Sequence, residues 1–128
     1  MAANTNPVFT DVPVIGIGQV SVANANRDGT GTVVTVATGT TDGTRIDEIQ
    51  IKAIVTTTAG MIRLYIYDGA NTRLFYEVPV TAITVSATVQ GFWYSVKFDN
   101  LILPNTYQLR ASTEKAETFN IVAFGSDY

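Results

Sequence analysis

Two short segments of the chain carry residue types in a spacing that proteins use to bind ligands. The first, Asn24-x-Asn26-x-Asp28-Gly29, resembles the opening of a calcium-binding loop, in which side-chain oxygens at alternate positions coordinate the ion. Its first ligand is an amide, however, and Thr35 occupies the position of the bidentate glutamate. Because Asn, Asp and Gly also accept local hydrogen bonds and tolerate positive φ, we predict a tight connection and no metal site.

The second segment, Ile15-Gly16-Ile17-Gly18, could begin a dinucleotide-binding fingerprint. That fingerprint requires a third glycine, where Ser21 stands, and a following helix, for which the sequence has no pattern. A strand whose glycines permit a bend or a close backbone approach is the better interpretation. No cofactor is therefore predicted.

Catalytic chemistry has few candidate residues in this chain. There is no His and no Cys, which excludes Ser-His-Asp triads, Cys-His dyads, His-ligated zinc and thiolate chemistry. A glycosidase needs only two carboxylates, and the chain has eleven Asp and Glu residues. Most of these stand at predicted turns or on polar strand faces, where solvated carboxylates are ordinary. We predict that the protein is not an enzyme and has no catalytic residue.

Alternating apolar and polar side chains predict an all-β chain. The clearest strand spans residues 45–56, where isoleucines alternate with charged and amide side chains. Further strands are predicted at 14–22, 32–37, 61–67, 72–80, 92–98, around 107–111 and at 119–124. The strand at 119–124 is apolar on both faces, as in a central strand or one buried by a partner. About eight strands predict an antiparallel β-sandwich of the jelly-roll or Greek-key kind.

The sequence also predicts two of the connections between strands of this sandwich. Asp99-Asn100 is assigned to a turn that ends the strand at 92–98. Residues 81–91 have no clear period and are assigned to a long connection between sheets, as a Greek key requires.

The predicted hairpin at 61–80 has a register that can be derived. Burying its two apolar faces together pairs Ile66 with Leu74, Leu64 with Tyr76 and Ile62 with Val78. On the other face, Tyr65 then meets Phe75 and Arg63 meets Glu77. This second face carries Arg63, Tyr65, Tyr67, Arg73 and Phe75. It is either an adhesive surface or a surface covered by another segment.

Two further features suggest contact residues. Trp93, the single tryptophan, lies on the polar side of its strand, where sugar stacking or a subunit contact would each explain it. Residues 1–13 contain Pro7 and Pro13 and predict an extended N-terminal arm, or else a disordered terminus, before a single domain at 14–128. The predicted interface residues are Phe9, Arg63, Tyr65, Tyr67, Arg73, Phe75 and Trp93.

Composition limits the partners and the compartment. The chain has 128 residues, 46% hydrophobic and 15% charged, which predicts a globular, soluble protein without a membrane span. Its net charge is −3 and its eight Lys and Arg residues are scattered singly, so nucleic-acid binding is not expected. The N-terminus lacks the basic and apolar regions of a secretory signal, which predicts synthesis in the cytoplasm.

Several phrases of the chain resemble a family of short, β-rich proteins from tailed bacteriophages and prophages. They are Asn4-Thr5-Asn6-Pro7, Asn26-Arg27-Asp28-Gly29-Thr30-Gly31, Arg63-Leu64-Tyr65-Ile66-Tyr67-Asp68-Gly69, Glu77-Val78-Pro79-Val80-Thr81-Ala82 and Phe124-Gly125-Ser126-Asp127-Tyr128. The resemblance spans nearly the whole chain and implies a virion protein made in the host cytoplasm.

This resemblance implies a head decoration, or cement, protein that binds and stabilises the capsid lattice. Its expected partners are the major capsid protein, further copies of itself as a trimer or dimer, or both. A tail or fibre component, or a carbohydrate-binding module that recognises the host surface, is the alternative.

Overall fold

The alternating sequence pattern forms eight strands in residues 9–128, the part of the chain that the computed structural model describes. The strands are β1 (Val12–Val20), β2 (Val34–Thr38), β3 (Thr44–Ala53), β4 (Gly60–Tyr67), β5 (Thr72–Val80), β6 (Trp93–Leu103), β7 (Gln108–Thr113) and β8 (Phe119–Asp127). The described residues contain no helix, so the all-β prediction is confirmed.

The strands form two four-stranded antiparallel sheets. The first sheet has the order β1-β8-β3-β6 and the second has the order β2-β7-β4-β5. This order is that of a jelly roll, so the predicted β-sandwich is confirmed. The predicted central strand β8 lies between β1 and β3, and residues 81–91 connect the second sheet to the first, as expected.

The core lies between the inner faces of the two sheets. It is filled by aliphatic and aromatic side chains that alternate with outward-facing residues along each strand. Phe92 packs edge-on against Phe119, with ring centroids 6.4 Å apart. Each fully buried Ile, Leu or Phe contributes about 1.5–3 kcal/mol to folding. The largest of these side chains are Phe119, Ile46, Ile49, Ile51, Ile62, Leu64, Leu103, Leu109 and Ile121.

The predicted turn at Asp99-Asn100 is wrong, because β6 continues to Leu103. The register between β3 and β6 shifts at this point, so that the single residue Asp47 stands opposite residues 98–100. The polar pair therefore lies in a bulge, which bends the strand without ending it. The chain turns after Leu103, where the Tyr107 backbone N–H donates to the carbonyl of Pro104.

The predicted arm at 1–13 overlaps the first sheet. Val12 and Pro13 belong to β1, where they stand opposite Asp127 and Ser126 of β8. Because β1 is an edge strand of its sheet, it tolerates a proline, which lacks a backbone N–H. Phe9 is exposed, and residues 1–8 of the predicted arm lie outside the described residues.

Candidate interaction surface

The second face of the β4–β5 hairpin is covered at Arg63 and Tyr65. Residues 21–33, which connect β1 to β2, cross the outer side of the second sheet and are here named the cover loop. The hydroxyl of Tyr65 donates to the carbonyl of Asn26 at 2.9 Å, and Arg63 lies 3.5 Å from the carbonyl of Asn24. Both side chains are buried. Of the two interpretations open at the sequence level, the covered face is therefore correct for Arg63 and Tyr65.

The derived hairpin register is correct for half of the hairpin. Ile62 stands opposite Val78, and Leu64 stands opposite Tyr76, as predicted. Beyond Leu64 the register shifts by one residue, so that Tyr65 stands opposite Leu74. The predicted pairs Tyr65–Phe75 and Ile66–Leu74 are therefore wrong.

The register shift leaves Phe75 without a partner on β4, as the extra residue of a bulge. Its ring packs instead near Phe98 of β6, at a centroid distance of 5.9 Å, and near Tyr76 at 6.5 Å. The bulge thus directs an aromatic ring toward the side of the sandwich where β5 and β6, the edges of opposite sheets, meet.

The predicted ion pair between Arg63 and Glu77 is present, with Nε and Oε2 3.1 Å apart. Arg27 of the cover loop approaches the same oxygen at 3.2 Å. The Glu77 carboxylate therefore links the buried Arg63 to the cover loop. It also gives the buried guanidinium the oppositely charged partner that a buried charge requires.

The asparagine and aspartate residues of the cover loop hold the loop closed. The buried amide of Asn24 donates to the carbonyls of Thr30 and Thr32, at 3.0 and 2.9 Å, and its oxygen accepts from the Asn26 N–H. The Thr30 hydroxyl and backbone N–H both donate to Asp28, which lowers the pKa of that carboxyl. The predicted tight connection is confirmed.

The seven predicted interface residues do not form one surface. Tyr67 is half-buried beneath Arg110, whose guanidinium lies 3.7 Å from the ring centroid. Arg73 and Phe75 are exposed on β5, at an edge of the second sheet. Trp93 is 53% exposed on β6, at an edge of the first sheet. The predicted residues are thus distributed over both sheets and the segment before β1.

An exposed apolar patch that sequence reasoning missed lies on the outer face of the first sheet. Ile15 and Ile17 of β1 stand beside Phe124 and Val122 of β8, respectively. Ile17 is 72% exposed and Ile15 is 60% exposed. These four side chains, Ile15, Ile17, Val122 and Phe124, are here named the apolar patch.

The outward direction of the isoleucines follows from the glycines between them. A Cβ at Gly16 would lie 2.5 Å from the carbonyl oxygen of Val36 and 2.9 Å from the Cβ of Ala37. Only glycine permits this close approach of β1 to β2, as the sequence predicted. Since strand side chains alternate, Ile15 and Ile17 must point to solvent. The alternation of Ile and Gly was thus the available signal.

The remainder of the outer face is polar along β3 and mixed along β6. Glu48 accepts hydrogen bonds from the hydroxyl of Ser95 and the amide of Gln50, which lower the pKa of its carboxyl. Arg45 donates to Asp47 at 2.8 Å. The face therefore combines an apolar half on β1 and β8 with a hydrogen-bonded polar stripe beside it.

The part of the chain that the structure describes has no surface cavity and no cluster of three or more potential metal ligands. No helix within residues 9–128 is long and apolar enough to cross a membrane. In its described part, the molecule is a jelly-roll β-sandwich with one partly apolar outer sheet face.

Comparison with protein-family models and with curated proteins gives no match. Among solved structures, the chain is similar to the N-terminal endo-1,4-beta-D-xylanase 10B of Clostridium thermocellum, whose CBM22-1-GH10 modules were crystallised with xylohexaose. The TM-score is 0.40 at 14% identity, over 89% of this chain and 26% of that chain. This chain therefore spans about a quarter of the length of the xylanase chain.

Proposed function

We propose that this protein is a structural subunit that acts without catalysis, through protein contacts made by the outer face of its first sheet. The observation that carries the proposal is the apolar patch, on a face without a cavity in the described residues. Covering a fully exposed isoleucine stabilises a contact by about 1.5–3 kcal/mol, so Ile15 and Ile17 together supply a substantial part of a specific interface. A face without a cavity suits another protein better than a small molecule, which requires a concave site.

Within this class, the proposed role is decoration of a bacteriophage head, with the major capsid protein as partner and the virion as location. Support comes from the resemblance of the chain to proteins of tailed phages, and from a cysteine-free β-sandwich with an exposed apolar face. Phe9, which is 79% exposed before the start of β1, is the proposed contact of the N-terminal segment with the capsid.

The test is binding of the purified protein to expanded phage heads, measured by co-sedimentation, with purified tails as control. Heads are expected to bind the protein and to withstand heat better, and virions are expected to contain it by mass spectrometry. A Phe9→Ala variant should bind more weakly. Absence from virions, or binding to tails but not to heads, would reject the decoration role.

A second candidate function, carbohydrate binding, rests on Trp93. Its indole is half exposed. Trp93 stands opposite Lys52 of β3 and two residues before Ser95 on β6, so an apolar ring lies among hydrogen-bonding groups. A glycan array separates this function from the first. A glycan bound by the wild type and by Ile102→Ala, an exposed position on the same strand, but lost in Trp93→Ala would favour carbohydrate binding. If no glycan binds, this candidate is discarded.

A further inference from the structure

We infer that the outer face of the first sheet is the contact between two copies of this chain. The two-fold axis that relates the copies lies in the plane of the contact and runs perpendicular to the strands. The inference rests on the proposed function, because it names a second copy as the partner of the same surface and leaves the contact with the capsid to the segment at Phe9. It is carried by the arrangement of side chains across the four strands.

These side chains form four cross-strand rows, each running from β1 through β8 and β3 to β6. From one end of the sheet to the other, the rows are Gln19-Asn120-Lys52-Trp93, Ile17-Val122-Gln50-Ser95, Ile15-Phe124-Glu48-Lys97 and Pro13-Ser126-Arg45-Ile102. The two inner rows thus place the apolar patch on β1 and β8, and the two outer rows place Trp93 and Ile102 at opposite ends of β6.

A two-fold axis perpendicular to the strands reverses the order of the rows and keeps each strand opposite its own copy. Ile17 then meets Ile15 of the second copy, and Val122 meets Phe124. Trp93 and Ile102 come to the same end of the contact, with the bulge at residues 98–100 lying between Ile102 and the inner rows. Between these apolar contacts, Gln50 meets Glu48 and Asn120 meets Ser126, which are pairs that can form hydrogen bonds. The face is therefore complementary to itself, as a symmetric dimer requires.

One pair of like charges, Lys52 and Arg45, comes together in this arrangement. Arg45 is already paired with Asp47, and Lys52 donates to the side chain of Gln90 at 3.0 Å and to the carbonyl of Gly91 at 3.1 Å. Both cations therefore have partners, so the repulsion between them is small compared with the gain from the apolar contacts of the two inner rows.

The alternative axis, parallel to the strands, is unfavourable. It would lay β1 on β6 and β8 on β3 of the second copy without reversing the rows. Ile15 would then meet Lys97, and Phe124 would meet Glu48. Burying these charged groups against apolar side chains costs several kcal/mol, so the perpendicular axis is favoured.

The size of the face is consistent with a weak, specific dimer. Four strands about 4.8 Å apart, with roughly eight residues each at about 3.3 Å per residue, span an area on the order of 500 Å². This approaches the roughly 600 Å² per partner at the lower end of specific interfaces. We therefore expect a dissociation constant in the micromolar range.

Analytical ultracentrifugation of the full-length chain tests the dimer. The wild type should be dimeric at about 100 μM and dissociate on dilution. Ile17→Glu and Ile15→Lys should each raise the dissociation constant at least tenfold, because each buries an unpaired charge at the contact. The matched control is Val22→Glu in the cover loop. Val22 is an exposed β-branched residue outside the face, so this variant should remain dimeric.

Circular dichroism checks the fold of each variant. If a charged variant unfolds, Ile17→Ser replaces it in the measurement of the dissociation constant.

Mixing the two charged variants tests the axis. Across the proposed two-fold, the carboxylate introduced in one copy faces the ammonium introduced in the other, and the remaining pair is Ile15 with Ile17. An equimolar mixture should therefore form a heterodimer with a dissociation constant at least tenfold below that of either variant alone. A mixture that stays monomeric overturns the axis.

A wild type that is monomeric at 100 μM, or trimeric, overturns the inference as a whole. These results are distinguishable from failure of the proposed function. A monomer that binds phage heads would contradict the dimer alone, whereas a dimer that is absent from virions would contradict the decoration role alone.

Discussion

Asn24 shows how a side chain suited to metal binding serves another purpose in this chain. Its buried amide group is occupied by the carbonyls of Thr30 and Thr32 and by the N–H of Asn26. The oxygen of Asn24 is therefore used within the loop, and the three hydrogen bonds of this side chain hold the cover loop in its conformation. The cover loop in turn buries Arg63 and Tyr65.

Asn24→Ala should therefore lower the free energy of unfolding by about 1–3 kcal/mol, since it removes three hydrogen bonds between a buried amide group and the backbone of the loop. Urea denaturation followed by tryptophan fluorescence measures the loss. The control is Asn26→Ala, which removes one exposed hydrogen bond to Thr30 and should cost at most about 0.5 kcal/mol. Equal losses in the two variants would contradict the role assigned to Asn24.

Asp68 gives the hairpin between β4 and β5 a dependence on pH. The backbone N–H groups of Asn71 and Ala70 donate to its carboxylate at 2.7 and 2.9 Å, and they hold the pKa of Asp68 below its ordinary value of 3.8. A carboxyl whose pKa is lower in the folded state contributes stability above its unfolded pKa and loses that contribution as the pH falls through the folded pKa.

Asp68→Asn keeps an oxygen that can accept the two backbone hydrogen bonds, but it replaces the titratable carboxyl with a neutral amide. The wild type should therefore be more stable than Asp68→Asn at pH 7, and this difference should shrink as the pH falls below about 3.8. Melting temperatures of both proteins between pH 7 and pH 2.5 measure it. A difference that stays constant across this range would show that Asp68 makes no such contribution.

At the scale of elements, β1 decides which apolar side chains of the first sheet are exposed on its outer face. Gly16 and Gly18 face β2, against Val36. The alternation of the strand then places Ile15 and Ile17 in solvent. One contact between two edge strands thus generates the apolar patch.

Gly16→Ala should lower the free energy of unfolding by about 1–3 kcal/mol, because the added Cβ would lie 2.5 Å from a backbone oxygen of β2 that cannot move alone. The control on the same strand is Gln19→Ala, an exposed position, which should change stability by less than about 0.5 kcal/mol. Chemical denaturation at a protein concentration where the wild type is monomeric measures both. No loss in Gly16→Ala would mean that β1 and β2 can separate freely.

At the scale of the whole molecule, a dimer links stability to concentration. If two copies associate through the first sheet, the melting temperature of the wild type should rise with protein concentration, by about 3 °C for each tenfold increase above the dissociation constant. Ile17→Glu should melt at a temperature independent of concentration. Differential scanning calorimetry over a hundredfold range separates the two behaviours, and a wild type without this dependence would contradict the dimer.

Local pattern was sufficient for the strands. The alternation in 45–56 predicted β3, and the apolar run at 119–124 predicted an inner strand, which is β8. Local pattern was insufficient for irregularities: the register shift at Leu64 and the bulge opposite Asp47 depend on neighbouring strands. A bulge adds one or more residues to one strand of a ladder, and no local preference of Phe75 or Asp99 distinguishes it from a regular pair or a turn.

The sequence by itself determined the sandwich, its long connection between sheets and the absence of His and Cys chemistry, because periodicity and residue type are local properties. The tertiary structure decided which apolar side chains are exposed. Tyr65 and Ile17 both lie in alternating segments, yet the cover loop buries Tyr65, and the contact of Gly16 with β2 turns Ile17 to solvent. The burial of Tyr65 and the exposure of Ile17 are thus set by contacts with segments that are distant in the chain. The local sequence around each residue does not encode these contacts.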